Sequence, residues 1–389
     1  MKKLKVALLT SVNSRNAGGL YTSVRYLGLN IYRQGVDIRL FSYDDQFSAE
    51  DRFVYEDMPM KIYHISSLPV LRQFAFSSDL MCLLEDYDPD IIHVQGIWMN
   101  HSRVAYKYKK KYPDTKVIIT PRGMLDPWAV RNNGWKKKIV GHLYEFSNLR
   151  NADCMHALCK SEYDSMRLFG LKNPIAVMPN AYNLPDNLTF DRDHEKKVML
   201  FVGRIHPKKG IRELLTAIKF IKDDHPELLD KWEFRIAGWD QNGHIQELMS
   251  MSARFGLDRY VKFIGSVYAE KKDEEMRKAN AFVLTSFSEG LPMSVLEAWA
   301  YKLPVLMTEY CNIPEGFEAN AALQVDTTPE SIRDGLIKML SMDDSMLNQM
   351  GENGYNLVAE KFTWHYVAKQ SIDVYQWLMG QGEKPIFVK

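Results

Sequence analysis

The sequence predicts an α/β protein built from two parallel-sheet domains. Short apolar, β-branched runs recur along the chain, and amphipathic helical patterns fill most of the gaps between them. Strands that are apolar on both faces and separated by helices are typical of parallel sheets covered by helices. The length of 389 residues exceeds one ordinary core and fits two domains.

The first domain contains six predicted strands, at residues 5–10, 38–43, 91–95, 117–120, 154–158 and 175–178. The opening strand imitates a signal peptide, but its apolar run stops at Thr10 before any cleavage-like site. No apolar stretch approaches the ~20 residues that cross a bilayer. After Pro179 and Asn180 the chain stays polar and rich in turn-forming residues up to residue 197, which predicts a linker.

The alternation then starts again, which predicts a second α/β domain. Its strands are expected at 198–202, 234–237, 261–264, 282–285, 305–307 and 323–325, followed by helices at 329–340, 345–361 and 363–379. We therefore expect an N-terminal domain at 1–182, joined by the C-terminal helix within 365–389, and a second domain at 183–364.

The net charge is +1, but the charge is unevenly distributed. Residues 1–180 hold 25 Lys and Arg against 18 Asp and Glu, and the excess lies mainly in the basic stretch 103–138. This stretch is either a solvated face or a surface for anionic lipid headgroups or a phosphorylated acceptor. Nucleic acid is disfavoured because no DNA- or RNA-binding motif accompanies the lysines. The four cysteines show no paired spacing, as expected in a reducing cytoplasm.

Two carboxylates bracket the start of a predicted helix after the strand at 282–285. Glu289 precedes this helix and Glu297 lies about one turn inside it. Gly290 permits close backbone approach, and Pro292 suits a first helical turn. Free N–H groups at a helix start attract phosphate oxygens, and each carboxylate can accept from two adjacent hydroxyls of a sugar. The alternative is a capping role for Glu289 and surface charge at Glu297.

Cations follow the first strand of the second domain, in Gly203-Arg204-Ile205-His206-Pro207-Lys208-Lys209-Gly210. Arg204 and Lys209 are placed where strand ends meet helix starts, the edge at which open α/β sheets bind ligands. Two fixed cations at this edge can neutralise a diphosphate without metal. Surface charge is the alternative for both, and Lys208 is expected to be a bystander.

Paired glycines, Gly18 and Gly19, follow the first strand of the chain. Their backbone N–H groups can approach an anion, although the spacing is not that of the nicotinamide-binding motif.

Together these motifs resemble those of glycosyltransferase family 4, a group of retaining enzymes with the GT-B fold. The resemblance covers nearly the whole chain and rests on the order of its motifs, which are Gly18-Gly19, residues 92–96, Pro179-Asn180, Gly203-Arg204, Lys209-Gly210, residues 289–297 and residues 362–364. It implies two Rossmann-like domains facing each other across a cleft, with a C-terminal helix that crosses back to the N-terminal domain. By this resemblance the domain at 1–182 would be the acceptor side and the domain at 183–364 would bind the nucleotide sugar.

The resemblance also implies roles for these residues. Arg204 and Lys209 would bind the donor diphosphate and stabilise the charge on the leaving nucleotide. Glu289 would hold hydroxyls of the donor sugar, and Glu297 those of the ribose. The remaining donor contacts would be Gly18, Gly19, Gly203, Gly265, Ser266, Gly290, Leu291 and Met293, with the base near Gly238 and Gly265.

One departure from the family pattern concerns Arg122. Many members place a histidine after the strand at 117–120, whereas this sequence has Thr120-Pro121-Arg122-Gly123-Met124-Leu125 and so resembles a subgroup of polysaccharide-building enzymes. Arg122 would bind a phosphate or the donor sugar, or else hold a loop. His93 and His101 are further candidates for acceptor contacts, and a purely structural role stays open for each.

The resemblance implies a retaining glycosyltransferase without metal or cofactor. It would move a sugar from a nucleotide-diphosphate donor to a glycan or lipid-linked oligosaccharide acceptor in surface polysaccharide biosynthesis. We expect the protein in the cytoplasm. There it would bind peripherally to an anionic membrane surface, the inner face of the plasma membrane. The alternatives are a nucleotide-sugar epimerase, a sugar phosphorylase or a non-catalytic binding protein.

Overall fold

The computed structural model describes residues 3–51, 58–131, 134–240 and 243–389. The chain forms two compact units. Unit 1 comprises Met1–Asn180 and Trp364–Lys389, and unit 2 comprises Ala181–Thr363.

Unit 1 is built on a seven-stranded sheet whose strands all run parallel in the order β3-β2-β1-β4-β5-β6-β7. The strands are β1 Lys5–Val12, β2 Asp37–Tyr43, β3 Met60–Ile62, β4 Ile91–Gln95, β5 Lys116–Thr120, β6 Cys154–Ala157 and β7 Ile175–Val177. All five residues of β4 are buried, as expected for a central parallel strand covered on both faces.

Helices cover the unit 1 sheet. They are α1 Gly19–Arg33, α2 Ser48–Asp51, α3 Pro69–Gln73, α4 Leu80–Tyr87, α5 Asn100–Lys111, α6 Pro127–Arg131, α7 Gly134–Val140, α8 Phe146–Asn151 and α9 Lys160–Leu168. A π-helical turn, Gly141–Glu145, joins α7 to α8. Helix α1 buries Val24, Leu27 and Ile31, so one apolar stripe at helical spacing faces the core.

The C-terminal residues complete unit 1. The C-terminal helix Trp364–Leu378 packs against α1, and the rings of Trp364 and Tyr26 stack at 6.2 Å between centroids. Beyond this helix, Val388 pairs antiparallel with Ala176 of β7. The return of the chain to the N-terminal domain, expected from the resemblance, is therefore confirmed within unit 1.

Unit 2 contains a six-stranded parallel sheet in the order β10-β9-β8-β11-β12-β13. Its strands are β8 Lys197–Val202, β9 Trp232–Ala237, β10 Val261–Gly265, β11 Ala281–Leu284, β12 Val305–Thr308 and β13 Ala322–Val325. Its helices are α10 Ile211–Asp224, α11 Pro226–Leu229, α12 His244–Arg254, α13 Ala269–Lys278, α14 Met293–Ala300, α15 Glu315–Glu318, α16 Pro329–Leu340 and α17 Asp344–Lys361.

Glycines allow α17 to pack closely in unit 2. A Cβ at Gly354 would lie 2.3 Å from Trp299, and a Cβ at Gly351 would lie 2.1 Å from the carbonyl oxygen of Lys302. Trp299 is fully buried and its indole N–H donates to the carbonyl of Ala321 at 3.1 Å. The long helix thus fixes α14, the helix that carries Glu297.

The strand order changes direction at one place in each sheet. In unit 1 this switch point lies between β1 and β4, and in unit 2 it lies between β8 and β11. Open α/β sheets bind ligands outside the carboxyl ends of their strands at such points. Within the ranges given above, no helix is both long and apolar enough to span a membrane.

Candidate functional site

Two loops meet at the switch point of unit 2. The loop after β8 runs from Gly203 to Gly210, and the loop after β11 starts at Thr285. Gly210 has φ of +67°, and a Cβ there would lie 2.0 Å from the carbonyl oxygen of Thr285. The Phe287 N–H donates to the carbonyl of Lys208 at 2.8 Å. The two loops are therefore held in direct backbone contact.

Lys209 and Glu289 form an ion pair where these loops meet. Lys209 Nζ lies 2.5 Å from Glu289 Oε1, and only 15% and 13% of the two side chains is exposed. The Ser286 hydroxyl donates to the same Oε1 at 2.5 Å. From the part of the chain that the structure describes, no group donates to Glu289 Oε2, so this oxygen remains available to a ligand.

Arg204 lies at the start of the same loop and is exposed. Its guanidinium carbon is 5.9 Å from the centre of the Trp239 ring. The backbone beneath it is fixed, because the Ile205 N–H donates to the carbonyl of Trp239 at 2.9 Å. A Cβ at Gly238 would lie 1.7 Å from the carbonyl oxygen of Gly203. The loop that bears Arg204 thus rests directly on the backbone of Gly238.

Helix α14 begins at Met293, as the sequence predicts, with Pro292 at its N-cap. None of the described side chains caps its first turn. Glu297, 13% exposed, accepts a hydrogen bond from Lys272 Nζ at 2.8 Å through Oε1. Sequence reasoning missed Lys272, because it stands in the charged stretch AEKKDEEMRK of α13, which has the composition of a solvated helix.

The remaining expected donor contacts of unit 2 lie along the same carboxyl edge. Gly265 ends β10 with φ of +74°, and its carbonyl accepts from the Gly238 N–H at 2.9 Å. Ser266 and Gly290 are exposed, and Leu291 is half-buried just before α14. These residues lie in loops at the ends of strands and not in the hydrophobic core.

The edge of unit 2 therefore combines three chemical features. Arg204 and Lys209 supply positive charge, the first turn of α14 supplies backbone N–H groups, and Glu289 and Glu297 each keep a carboxylate oxygen for hydroxyl groups. A ligand with a diphosphate between two diol-bearing groups matches this arrangement. Within the described ranges, no group of three or more His, Cys, Asp or Glu side chains has metal-binding geometry.

The edge of unit 1 centres on Arg122. Its guanidinium donates to Gln95 Oε1 at 2.7 and 3.0 Å, to Ser23 Oγ at 3.0 Å and to Asn180 Oδ1 at 2.8 Å. No carboxylate of the described residues lies within 4.0 Å of it. Desolvation lowers the pKa of Arg122 to about 10, while the more distant Glu162 raises it. Arg122 is thus a cation held by neutral oxygen atoms.

Gly18 and Gly19 lie at the same edge, between the 3₁₀ turn Arg15–Ala17 and α1. Gly18 has φ of +56°, which an L-residue adopts only with strain. No described atom lies within 4 Å of a Cβ built at either glycine. Among the described residues, the space beside both glycines is therefore open.

His93 and His101, the candidates for acceptor contacts, lie in the interior of unit 1. Both rings are fully buried. His93 Nδ1 is 2.8 Å from the Tyr375 hydroxyl, and its Nε2 is 2.9 Å from Thr120 Oγ1. His101 Nε2 is 3.2 Å from the Gln95 carbonyl. Burial lowers both pKa values, that of His101 to about 4, so both rings are neutral structural groups rather than acceptor contacts.

The basic stretch 103–138 is divided between two elements, α5 and the segment around α7. In α5, Lys109 forms an ion pair with Asp153 at 3.1 Å and Lys111 pairs with Glu85 at 2.7 Å. These lysines are therefore neutralised within unit 1. Residues 132 and 133, together with the side chain of Lys136, lie outside the described part of the chain.

The chain thus consists of two doubly wound units, each with charged side chains at the carboxyl edge of its sheet. Residues 17–185 match the family model described as Glycosyltransferase Family 4, and residues 189–357 match the model described as Glycosyl transferases group 1. The chain belongs to glycosyltransferase family 4, and the family resemblance seen in the sequence is confirmed.

Curated relatives carry varied names. An uncharacterized glycosyltransferase of Methanocaldococcus jannaschii is 24% identical over 92% of this chain and 94% of that protein. One subunit of the human phosphatidylinositol N-acetylglucosaminyltransferase is 28% identical over 57% of this chain. The match spans only 46% of that human protein.

Solved structures confirm the GT-B fold. Sucrose-phosphate synthase from Thermosynechococcus elongatus superposes with a TM-score of 0.74 at 18% identity, covering 97% of this chain and 100% of that chain. The Anabaena protein HepE in complex with UDP and glucose gives a TM-score of 0.73 at 15% identity, covering 96% and 100% of the two chains.

Proposed function

We propose that unit 2 binds a nucleotide-diphosphate sugar, and that this glycosyltransferase passes the sugar to a glycan or lipid-linked oligosaccharide in surface polysaccharide biosynthesis. The observation that carries the donor assignment is the 2.5 Å pair between Lys209 and Glu289 at the switch point of unit 2. It puts a cation for phosphate and a carboxylate for hydroxyls side by side. UDP in complex with the Anabaena protein HepE supports a nucleotide donor.

The proposed reaction exchanges one glycosidic bond for another. The bond between the anomeric carbon and the diphosphate oxygen breaks, and the acceptor oxygen forms a new bond to that carbon. Arg204 and Lys209 stabilise the negative charge that grows on the departing diphosphate. Two cations and a helix start supply this stabilisation from the chain itself, so we propose a reaction that needs neither metal nor cofactor.

The carboxylates orient the donor in this proposal. Glu289 uses its uncommitted Oε2 to accept hydroxyls of the transferred sugar, and Glu297 accepts those of the ribose. Since both carboxylates already hold lysines through Oε1, their side chains are positioned before the donor arrives. Such prior ordering reduces the entropy cost of binding.

We further propose retention at the anomeric carbon by front-face attack. The departing phosphate oxygen takes the proton of the acceptor hydroxyl, so no enzyme nucleophile is required. This step agrees with an edge in which cations, rather than a carboxylate held for nucleophilic attack, carry the chemistry. The anomeric coupling constant of the new glycosidic linkage, measured by NMR and compared with that of the donor sugar, distinguishes retention from inversion.

A lipid-linked or glycan acceptor on unit 1 is supported by Arg122 and by the names of relatives. Arg122 lacks a carboxylate partner among the described residues, so an anionic acceptor group would complete its charge balance. Names of relatives include lipid acceptors, such as the alpha-monoglucosyldiacylglycerol synthase of Streptococcus pneumoniae, 24% identical over 78% of this chain.

A panel of UDP-, GDP- and ADP-sugars tests the donor assignment by protection against thermal unfolding. One donor should raise the Tm of the wild-type protein, because a ligand bound to the folded state stabilises it by mass action. Lys209→Ala should lose that shift and Lys208→Ala should keep it. No shift with any nucleotide sugar would refute the assignment.

The competing functions give different products in the same reaction mixture. An epimerase converts the stabilising nucleotide sugar to its epimer without acceptor, whereas a non-catalytic binding protein leaves it intact with every acceptor. A glycosyltransferase releases nucleotide diphosphate in proportion to glycosylated acceptor. Chromatography of the nucleotide products separates these three results.

A further inference from the structure

Three large apolar side chains are exposed in a row on unit 1. Trp135, Ile139 and Leu143 are 66%, 52% and 74% exposed, and they stand four residues apart along α7 and the π-helical turn. Lys138 and His142 are exposed between them. We call Trp135, Lys138, Ile139, His142 and Leu143 the α7 face.

The opposite side of this helical segment is anchored in unit 1. Gly141 and Glu145 are buried, and a Cβ at Gly141 would lie 2.3 Å from the Phe146 ring. Glu145 Oε2 accepts from the Trp98 N–H at 2.9 Å, and Oε1 accepts from Ser102 Oγ at 2.7 Å. The segment is therefore fixed in orientation, and its exposed apolar row is a property of the folded unit.

This anchoring also connects the α7 face to the ligand edge. Trp98 follows β4 with φ of +72°, a strained conformation, and Glu145 holds its backbone. Gln95, the last residue of β4, binds Arg122. Glu145, Trp98 and Gln95 therefore connect the α7 face to the switch point of unit 1, through hydrogen bonds and through positions close together in sequence.

The positive charge around the α7 face indicates which kind of partner binds there. Residues 127–144 contain Arg131, Lys136, Lys137 and Lys138 and no acidic residue. Exposed apolar residues with the exposed Lys138 among them match the interface of an anionic bilayer, where tryptophan and leucine enter the headgroup boundary and lysine meets phosphate. A regular protein–protein interface is instead depleted in lysine.

We infer that the α7 face docks unit 1 onto an anionic lipid membrane, with Ile139 and Leu143 inserted and Lys138 at the headgroups. The inference rests on the proposed function only in that a lipid-linked acceptor gives the protein a reason to dock. It assigns membrane contact to one helix face rather than to the basic stretch as a whole.

Sedimentation of the full chain with vesicles tests this assignment. The wild-type protein should bind vesicles of phosphatidylcholine and phosphatidylglycerol at 7:3 and bind pure phosphatidylcholine much more weakly. The double variant Ile139→Ser/Leu143→Ser should bind the anionic vesicles at least tenfold more weakly. Lys138→Ser should reduce binding about fivefold, the loss expected for one lysine near a charged surface.

Leu168→Ser is the matched control, because Leu168 is 76% exposed on α9 of the same unit. It should change vesicle binding less than twofold. Equal loss in the control and in the double variant would overturn the inference, as would equal binding of the wild type to neutral vesicles. One further result would overturn the inference: the wild-type protein forms a dimer and does not bind vesicles, and the double variant is a monomer. A second copy of the chain would then cover the α7 face.

Donor binding is read separately in the same variants. All these side chains are exposed, so the folded proteins should keep the wild-type thermal shift with the stabilising nucleotide sugar. Docking without any such shift would contradict the proposed function and leave the α7 face assigned. A thermal shift with the nucleotide sugar but without vesicle binding would contradict the docking inference and leave the proposed donor site in place.

Discussion

At the carboxyl edge of unit 2 the central lysines are paired with carboxylates, whereas the arginine at the corresponding edge of unit 1 is not. Lys209 and Lys272 hold Glu289 and Glu297 at 2.5 and 2.8 Å. Arg122 instead contacts the neutral oxygen atoms of Gln95, Ser23 and Asn180. Both edges lie at the switch point of a sheet with its first strand at the centre.

One topology therefore supports two kinds of recognition. In unit 2 a ligand meets cations and carboxylates together, which suits a molecule that carries both phosphate and hydroxyl groups. In unit 1 the partly buried Arg122 guanidinium has no carboxylate within 4.0 Å among the described residues, so it gains most from an anionic ligand. The chemistry follows from side chains at the strand ends, since the sheets themselves are alike.

Removing charge from the edge of unit 2 should have the largest effect on turnover. Arg204→Ala should lower kcat by about a hundredfold or more, because charge on the leaving diphosphate then lacks one stabilising group. Lys208→Ala, which removes a neighbouring cation of the same loop, should stay near the wild-type rate. Near-normal kcat in folded Arg204→Ala would contradict the assignment of leaving-group stabilisation to this edge.

Gly238→Ala should destabilise unit 2. The added Cβ would lie 1.7 Å from the carbonyl oxygen of Gly203, so either the Arg204 loop or β9 must shift. Overpacking of this kind costs about 1–3 kcal/mol. Thermal unfolding with and without the donor measures both the lost stability and the displaced loop, and an unchanged Tm would show that the loop does not rest on Gly238.

Acid should weaken unit 1 before unit 2. Burial lowers the pKa of His156 to about 3, with Arg122 as a second cause, while the unfolded chain takes up this proton near pH 6.5. The contribution of His156 to stability is therefore fully present above pH 6.5 and is lost as the pH drops below it. At pH 5 this one group removes about 2 kcal/mol.

Hydrogen exchange, corrected for its intrinsic pH dependence, measures this difference. Peptides covering β4 to β6 should lose protection between pH 6.5 and 5, while peptides covering β8 to β12 keep it. The described histidines of unit 2 are not fully buried, and its strongly paired carboxylates Glu233 and Asp273 have lowered pKa values that matter only in stronger acid. His156→Gln should reduce the acid response of unit 1, in which buried His93 and His101 still contribute. An equal loss in both units would contradict this account.

Gly19→Ala should have the smallest effect on stability. No described atom lies within 4 Å of the added Cβ, and alanine favours a helix start over glycine, so the Tm should stay equal or rise slightly. If a donor phosphate contacts the backbone at Gly19, the added methyl group should still lower kcat roughly tenfold, which corresponds to about 1.4 kcal/mol in activation free energy. Unchanged kcat would remove Gly19 from the binding site.

Most of the fold was readable from the sequence because buried parallel strands carry continuous apolar runs. Helix α16 was predicted with the bounds that the structure shows. Strand β3 was missed because Met60–Ile62 is a three-residue edge strand with half-buried residues and no apolar run. The pairing of Val388 with Ala176 joins residues far apart in sequence, and no local pattern marks it.

The candidate site could be predicted from the sequence only in part. Lys209 and Glu289 could be placed at one sheet edge because each follows a strand of the same domain. Periodicity cannot tell a buried histidine from a ligand contact. Both roles stayed open for His93, because its partner Tyr375 comes from the other end of the chain. Lys272 was missed because only the packing of α13 brings it to Glu297.

Calorimetric titration of Glu289→Gln with the stabilising nucleotide sugar, and then with its nucleotide diphosphate, separates the roles proposed for the two paired side chains. If Glu289 holds the sugar while Lys209 holds the diphosphate, affinity for the nucleotide sugar should fall about tenfold or more, since hydrogen bonds to a charged group are worth about 1.5–3 kcal/mol. Affinity for the nucleotide diphosphate should stay equal or rise, because Lys209 loses its carboxylate partner. An equal loss for both ligands would contradict the division of labour between Lys209 and Glu289.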